Sequence, residues 1–112
     1  MWLLDVNVNR KIIPLLKAKG VESQSAIDLG WRLLTNGRLI EKAFVSGFKV
    51  MLTNDVRMEQ SAEKSLVKFS DFAMVLLRLP QIPSEQYLQM FQQQWAKHGI
   101  LPEKGRLVVW PQ

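Results

Sequence analysis

Short apolar runs alternate along this chain with segments of helical spacing, and this alternation constrains the fold more than any other feature. The apolar runs do not alternate cleanly between apolar and polar residues, which is typical of strands buried on both faces of a parallel sheet. Four such runs are predicted strands, at residues 2–4, 49–53, 72–77 and 106–110, and the weakly alternating residues 21–27 are predicted to form a fifth. The sequence therefore predicts a three-layer α/β domain with a parallel sheet of about five strands.

Four segments between these runs carry apolar residues at helical spacing. They predict helices at residues 10–19, about 36–46, about 59–66 and 83–98. Asn9 is expected to cap the first helix, and Gly20 to end it. Residues 28–34 are expected to form a loop. No repeat or linker interrupts the 112 residues, so we expect one domain over residues 1–112.

Composition excludes several classes of function. The absence of cysteine excludes disulfide scaffolds, thiol nucleophiles and cysteine-ligated zinc, and it suits a reducing cytoplasm. A single histidine, His98, disfavours a nucleophilic triad, and no glycine-rich nucleotide loop is present. No stretch approaches the roughly 20 apolar residues of a membrane helix, and the first ten residues lack a secretory pattern. We expect a cytoplasmic protein that does not span a membrane.

The chain has fifteen Lys and Arg residues and ten Asp and Glu residues, which gives a net charge of +5. This surplus favours a polyanionic partner such as RNA without proving one. Two of the few acids, Asp5 and Asp55, follow predicted strands at their carboxyl ends, where ligands bind in open parallel sheets. Two carboxylates at one edge would favour Mg²⁺ or Mn²⁺. The alternative is that both are ordinary turn residues.

Four asparagines occupy the predicted loops and helix starts: Asn7, Asn9, Asn36 and Asn54. Their amide oxygens could complete a metal shell, although they are weaker ligands than carboxylates. The alternative is that they cap helices and form turns, which are common roles for asparagine.

Four motifs in order resemble a known family. They are Trp-Leu-Leu-Asp-Val-Asn-Val at 2–8, Thr-Asn-Gly-Arg-Leu-Ile at 35–40, Val-Met-Leu-Thr-Asn-Asp at 50–55 and Val-Leu-Leu-Arg-Leu-Pro at 75–80. The chain resembles, over roughly residues 2–98, the small bacterial and archaeal PIN-like proteins, predicted nucleases of toxin–antitoxin pairs. The resemblance implies strand order 3-2-1-4-5, an acidic pocket that holds Mg²⁺ or Mn²⁺, and metal-assisted hydrolysis of RNA.

The resemblance also implies roles for individual residues. Asp5 and Asp55 would be the catalytic, metal-binding acids, and Asn36 or Asn7 would complete the metal shell through water. The implied substrate-binding residues are Arg78, Arg57, Asn54 and Asn9. A toxin of this kind would have RNA as substrate and a small antitoxin protein of helix-turn-helix type as partner.

Two departures from the family pattern oppose this activity. Asn36 stands where the family usually has an acid, and Arg57 stands where it usually has a second acid after the third strand. Both changes weaken divalent metal binding. The alternative is a degenerate PIN-like domain without nuclease activity that binds RNA or protein. A third hypothesis is a subunit that pairs with another chain, including a homodimer, through Trp31, Trp95 and Trp110.

Overall fold

The structure is a computed structural model that describes residues 1–112. Five strands and four helices follow one another in the order β1 (Trp2–Leu4), α1 (Ile12–Ala18), β2 (Ser23–Ser25), α2 (Asn36–Val45), β3 (Val50–Thr53), α3 (Met58–Lys68), β4 (Ala73–Leu77), α4 (Ser84–Lys97) and β5 (Leu107–Trp110). All strand pairs are parallel. The predicted α/β class and five-stranded parallel sheet are therefore confirmed.

The strand order is β2-β1-β3-β4-β5, so the expected order 3-2-1-4-5 is wrong. That order separates the first and third strands, whereas in the structure β1 and β3 are neighbours. The composition of the strands explains the difference. β2 is Ser-Gln-Ser and lies at an edge, where polar side chains keep contact with water. Every residue of β3 and β4 is buried, which suits the interior of the sheet.

Two apolar cores lie on opposite faces of the sheet. One contains β-strand residues such as Leu4 and Leu52 together with side chains of α1 and α4, among them Leu16 and Phe91. The other contains alternate strand residues, α2 and α3. Neighbouring residues of one strand, such as Met51 and Leu52, enter different cores because successive side chains point to opposite faces. This arrangement forms the three layers that the sequence predicts.

The largest differences from the predicted boundaries concern β2 and α1. The predicted second strand spans 21–27, but only Ser23–Ser25 is a strand. The predicted first helix spans 10–19, but α1 starts at Ile12 because two tight turns precede it. Asn9, which was predicted to cap this helix, lies in the turn before it, where its Oδ1 accepts a hydrogen bond from the Lys11 N–H at 2.9 Å.

The longest helix, α4, has 14 residues. None of the four helices combines the length and apolar character that crossing a bilayer requires.

Candidate functional site

The carboxyl ends of β1 and β3 bring the two predicted acids to one edge of the sheet. The strands pair in parallel with Leu4 opposite Leu52, so the next residues, Asp5 and Thr53, lie side by side. The Asp5 N–H donates to the Leu52 carbonyl at 2.9 Å and extends this pairing by one residue. Asp55 follows two residues beyond Thr53. The sheet register, and not the loops alone, therefore places the carboxylates close together.

Asp5 is a buried carboxylate whose two oxygens each accept one hydrogen bond. It is only 4% exposed. Its Oδ2 accepts a hydrogen bond from the Thr53 hydroxyl at 2.7 Å, and its Oδ1 accepts one from the Val6 N–H at 2.7 Å. Burial raises the pKa of Asp5, the two hydrogen bonds lower it, and the negative charge of Asp55 raises it further, so the net pKa lies above the ordinary value.

Asp55 is held by Arg57 rather than left free for a ligand. Its Oδ1 accepts hydrogen bonds from the Arg57 N–H at 2.9 Å and Nε at 3.0 Å, and its Oδ2 accepts one from Nη2 at 3.2 Å. The hydrogen bond from the Arg57 side chain lowers the pKa of the Asp55 carboxyl, so it stays ionised. The Thr53 hydroxyl accepts the Asp55 N–H at 3.0 Å and thus links the two acids.

The predicted asparagines mainly hold the loops of this edge together. The Asn54 N–H donates to the Asn7 side-chain oxygen at 3.0 Å, and the Asn54 side-chain amide donates to the Asn7 carbonyl at 2.7 Å. The Asn9 side-chain amide donates to the Ser84 hydroxyl at the start of α4, at 3.1 Å. Asn7, Asn9 and Asn54 therefore each have a structural role, and their predicted roles in binding stay predictions.

Arg78 and Asn36 lie near the acids without bonding to them. Arg78 follows β4 at the same sheet edge and is exposed, and its side chain forms no hydrogen bond or ion pair. Asn36 begins α2 and lines a shallow cleft with Arg57 and with Thr35, Gly37 and Ser61. This cleft lies between the starts of α2 and α3, beside the acids.

The donor set does not suit a divalent ion as it stands. Each oxygen of Asp5 and Asp55 already accepts at least one hydrogen bond, and the Asn7 side-chain oxygen accepts one from the Asn54 N–H. No group of three or more His, Cys, Asp or Glu side chains is arranged to hold a metal ion. Arg57 also places a positive charge where a cation would have to bind. Mg²⁺ or Mn²⁺ binding stays a prediction.

Two functional features escaped the sequence reasoning. Thr53 bridges the acids, and the signal for it was a hydroxyl at the end of an otherwise apolar strand. Tyr87, in α4, is 2% exposed. Burial raises the pKa of Tyr87 above its ordinary value. The Tyr87 hydroxyl and the Asn54 side-chain oxygen are buried without a hydrogen-bond partner.

The fold and the site define a small parallel α/β domain with two acids at the carboxyl edge of its sheet, linked through the Thr53 hydroxyl. Comparison with protein-family models, curated proteins and solved structures found no match. The PIN-like resemblance therefore depends on the four sequence motifs.

We expect Asp5→Asn to stabilise the protein at neutral pH. Because the folded-state pKa of Asp5 lies above its ordinary value of 3.8, ionisation opposes folding, and stability is lost as pH rises from 3.8 through the folded-state pKa. Asparagine keeps the acceptor for the Val6 N–H without the charge, and its amide N–H can donate to the Thr53 hydroxyl, which in the wild type donates to Asp5 Oδ2. Urea unfolding over a pH series should show an advantage for the variant that shrinks as the pH falls. A variant that is less stable by the same amount at every pH would refute this reasoning.

Proposed function

We propose that this chain is a PIN-like domain without nuclease activity that binds single-stranded RNA through the phosphate backbone. The observation that carries the proposal is the contact between Arg57 and both oxygens of Asp55. It neutralises one of the two acids on which metal-dependent hydrolysis would depend, and it presents a cation at the same position. The lack of cysteine is in keeping with a reducing cytoplasm, where we place the protein.

The geometry of Arg57 supports contact with phosphate. Its side chain is 85% exposed. Nε and Nη2 bind Asp55, whereas Nη1 forms no hydrogen bond within the chain and can donate to a phosphate oxygen. An arginine positioned by a carboxylate loses less conformational freedom on binding than a free one.

The cleft beside Arg57 adds further donors. It contains the start of α2, at Asn36 and Gly37, and the Ser61 hydroxyl. The first turn of α2 has no acidic residue, and Thr35 makes no capping hydrogen bond through its side chain. The backbone N–H groups of this turn are therefore open to water or to an anion, and a helix start favours an anion.

Arg78 extends the basic surface along the same edge. It is exposed and makes no ion pair, so its charge is available to a ligand. Arg57 and Arg78 follow β3 and β4, which lie on one side of β1 in the sheet, and Asp5 at the end of β1 is buried and presents little negative charge to an approaching phosphate. The net charge of +5 assists the encounter with RNA through long-range attraction.

We expect Arg57→Ala to weaken RNA binding in the presence of a metal chelator. Loss of one phosphate contact should lower the slope of log affinity against log salt by about 0.7 for a single strand. Fluorescence anisotropy with a labelled single-stranded RNA measures both quantities. Lys19→Ala is the matched control, because it removes one exposed positive charge at the other end of α1, near the opposite sheet edge. Equal slopes for the two variants would count against the proposed site.

A metal-dependent ribonuclease is the second candidate, and one observation favours it. The charge of Asp55 contributes to the raised pKa of Asp5, so the two carboxylates interact. Arg57 is exposed enough to move aside. In this case the chain would be the toxin of a toxin–antitoxin pair, with a small helix-turn-helix antitoxin as partner, and an adjacent open reading frame would encode that protein.

Calorimetry and an RNA assay separate the two candidates. Our proposal predicts no tight site for Mn²⁺ and intact RNA with either metal. Cleavage that requires Mn²⁺ or Mg²⁺ and disappears in Asp5→Ala would establish the nuclease instead. Intact RNA together with unchanged anisotropy in the wild-type protein would reject both functions.

A further inference from the structure

β5 leaves one row of backbone groups without a partner at the edge of the sheet. It pairs with β4 alone. The Met74 N–H donates to the Arg106 carbonyl at 3.0 Å, and the Arg78 N–H donates to the Trp110 carbonyl at 2.7 Å. Because backbone groups alternate in direction along a strand, those of Leu107 and Val109 point away from β4. They can pair with a further strand.

The two edges of the sheet differ in a way that marks β5 as a pairing surface. β2, at the other edge, has three residues, all polar. β5 is Leu-Val-Val-Trp, and its first three residues are partly exposed. β5 has only four residues, but an apolar edge strand is normally covered or blunted in a monomer. Clefts flank β5 on both faces of the sheet, and Val109 lines each of them.

Exposed apolar side chains stand beside both clefts. Val67 of α3 lines the first cleft and is 84% exposed, and Leu101 lines the second and is 71% exposed. Trp110, which the sequence suggested as an interface residue, is only 4% exposed and packs on Phe91 at 5.1 Å between ring centroids. The apolar surface at this edge therefore comes from valine and leucine rather than from that tryptophan.

Charged residues are separated along the first cleft. α3 connects two parallel strands and so runs opposite to them, which puts Glu59 and Glu63 in its first half, towards the carboxyl end of β5. Lys104 and Arg106 lie at the amino end of β5. All four are exposed, and none forms an ion pair within the chain.

We propose that a second copy of this chain pairs with β5 in the antiparallel direction, about a twofold axis perpendicular to the sheet. Such an axis makes one sheet continuous through both copies and is self-complementary. Because the second strand runs in reverse, its Lys104 and Arg106 lie at the carboxyl end of the first β5, towards Glu59 and Glu63. The twofold axis repeats these opposite-charge contacts on the other side. Basic and acidic side chains that are apart in one chain are therefore paired in the dimer.

Charge reversal tests the orientation of this dimer. Light scattering and sedimentation over a dilution series should show a wild-type dimer. Lys104→Glu with Arg106→Glu should weaken it about tenfold or more, because repulsion replaces attraction at two symmetric places. Adding Glu59→Lys and Glu63→Lys to that variant should restore the dimer. A wild-type protein that is a monomer throughout, or a dimer that these changes leave unaltered, would overturn the proposal.

Val109→Pro tests the strand pairing separately. The Val109 N–H points away from β4. Proline at this position therefore removes a hydrogen bond between the two copies and none of the hydrogen bonds between β4 and β5. A folded monomer by circular dichroism and light scattering is the expected result. If this variant is a folded dimer of wild-type affinity, strand pairing is excluded. If it does not fold, the charge-reversal series decides, since it changes only exposed side chains.

Discussion

Leu52→Ala should destabilise the protein by about 2–5 kcal/mol. Leu52 is fully buried in β3, with β1 and β4 on either side and the α1/α4 core against its side chain. Truncation removes apolar contact and leaves a cavity that rigid neighbouring strands close poorly. Urea unfolding followed by circular dichroism measures the change. Since a small domain has a total stability of about 5–15 kcal/mol, the variant would lose a large share of it.

Leu33→Ala is the matched control, because the same side chain is 93% exposed there. We expect its free energy of unfolding to stay within about 0.5 kcal/mol of the wild-type value. Similar losses at Leu33 and Leu52 would contradict the central position of β3 in the sheet.

Thr53→Val should cost about 1.5–3 kcal/mol at neutral pH. Valine has nearly the shape of threonine, but it removes the hydroxyl that donates to Asp5 and accepts the Asp55 N–H. The Asp5 carboxylate would then be buried with one fewer hydrogen bond, and the Asp55 N–H would lose its acceptor. Equilibrium unfolding in urea at several pH values measures the loss.

The pH dependence of this loss identifies its cause. The hydroxyl favours the charged form of Asp5, so its removal should cost less as pH falls through the folded-state pKa of that group. Thr53→Ser is the control that keeps the hydroxyl, and we expect it to lose only the contribution of one buried methyl group, about 1 kcal/mol. A loss that is equal at every pH would assign the effect to packing rather than to the carboxylate.

Strand composition accounts for what could be predicted of the fold. The apolar runs at β3 and β4 and the spacing of apolar residues in α4 (Ser84–Lys97) are local signals, and they predict the correct elements. β2 was predicted too long, because residues 21–27 alternate only weakly and tertiary contacts support pairing over Ser23–Ser25 alone. The strand order came from a resemblance and was wrong, since which strands pair depends on contacts distant along the chain.

The candidate site, like the fold, was predicted only in part. The positions of Asp5 and Asp55 after strands were visible in the sequence, because polar residues that follow buried runs stand out. The contact of Arg57 with Asp55 was not predicted, although the two residues are only two positions apart. Whether Arg57 turned towards the acid or towards solvent depended on side-chain geometry. The asparagines were predicted both as ligands and as caps or turn residues; the bond of Asn9 to the Lys11 N–H is of the second kind, whereas Asn7 joins two loops through Asn54, which neither interpretation included.

The sequence by itself determined the class of fold, because the period and length of apolar segments decide which elements can bury their side chains. It also placed Asp5 and Asp55 directly after predicted strands, and so at the carboxyl edge of a parallel sheet. Only the tertiary structure decided that β1 and β3 are neighbours, which links Asp5 through Thr53 to Asp55. It also left β5 open on one side. Both outcomes depend on strand pairing between distant segments, which no local pattern specifies.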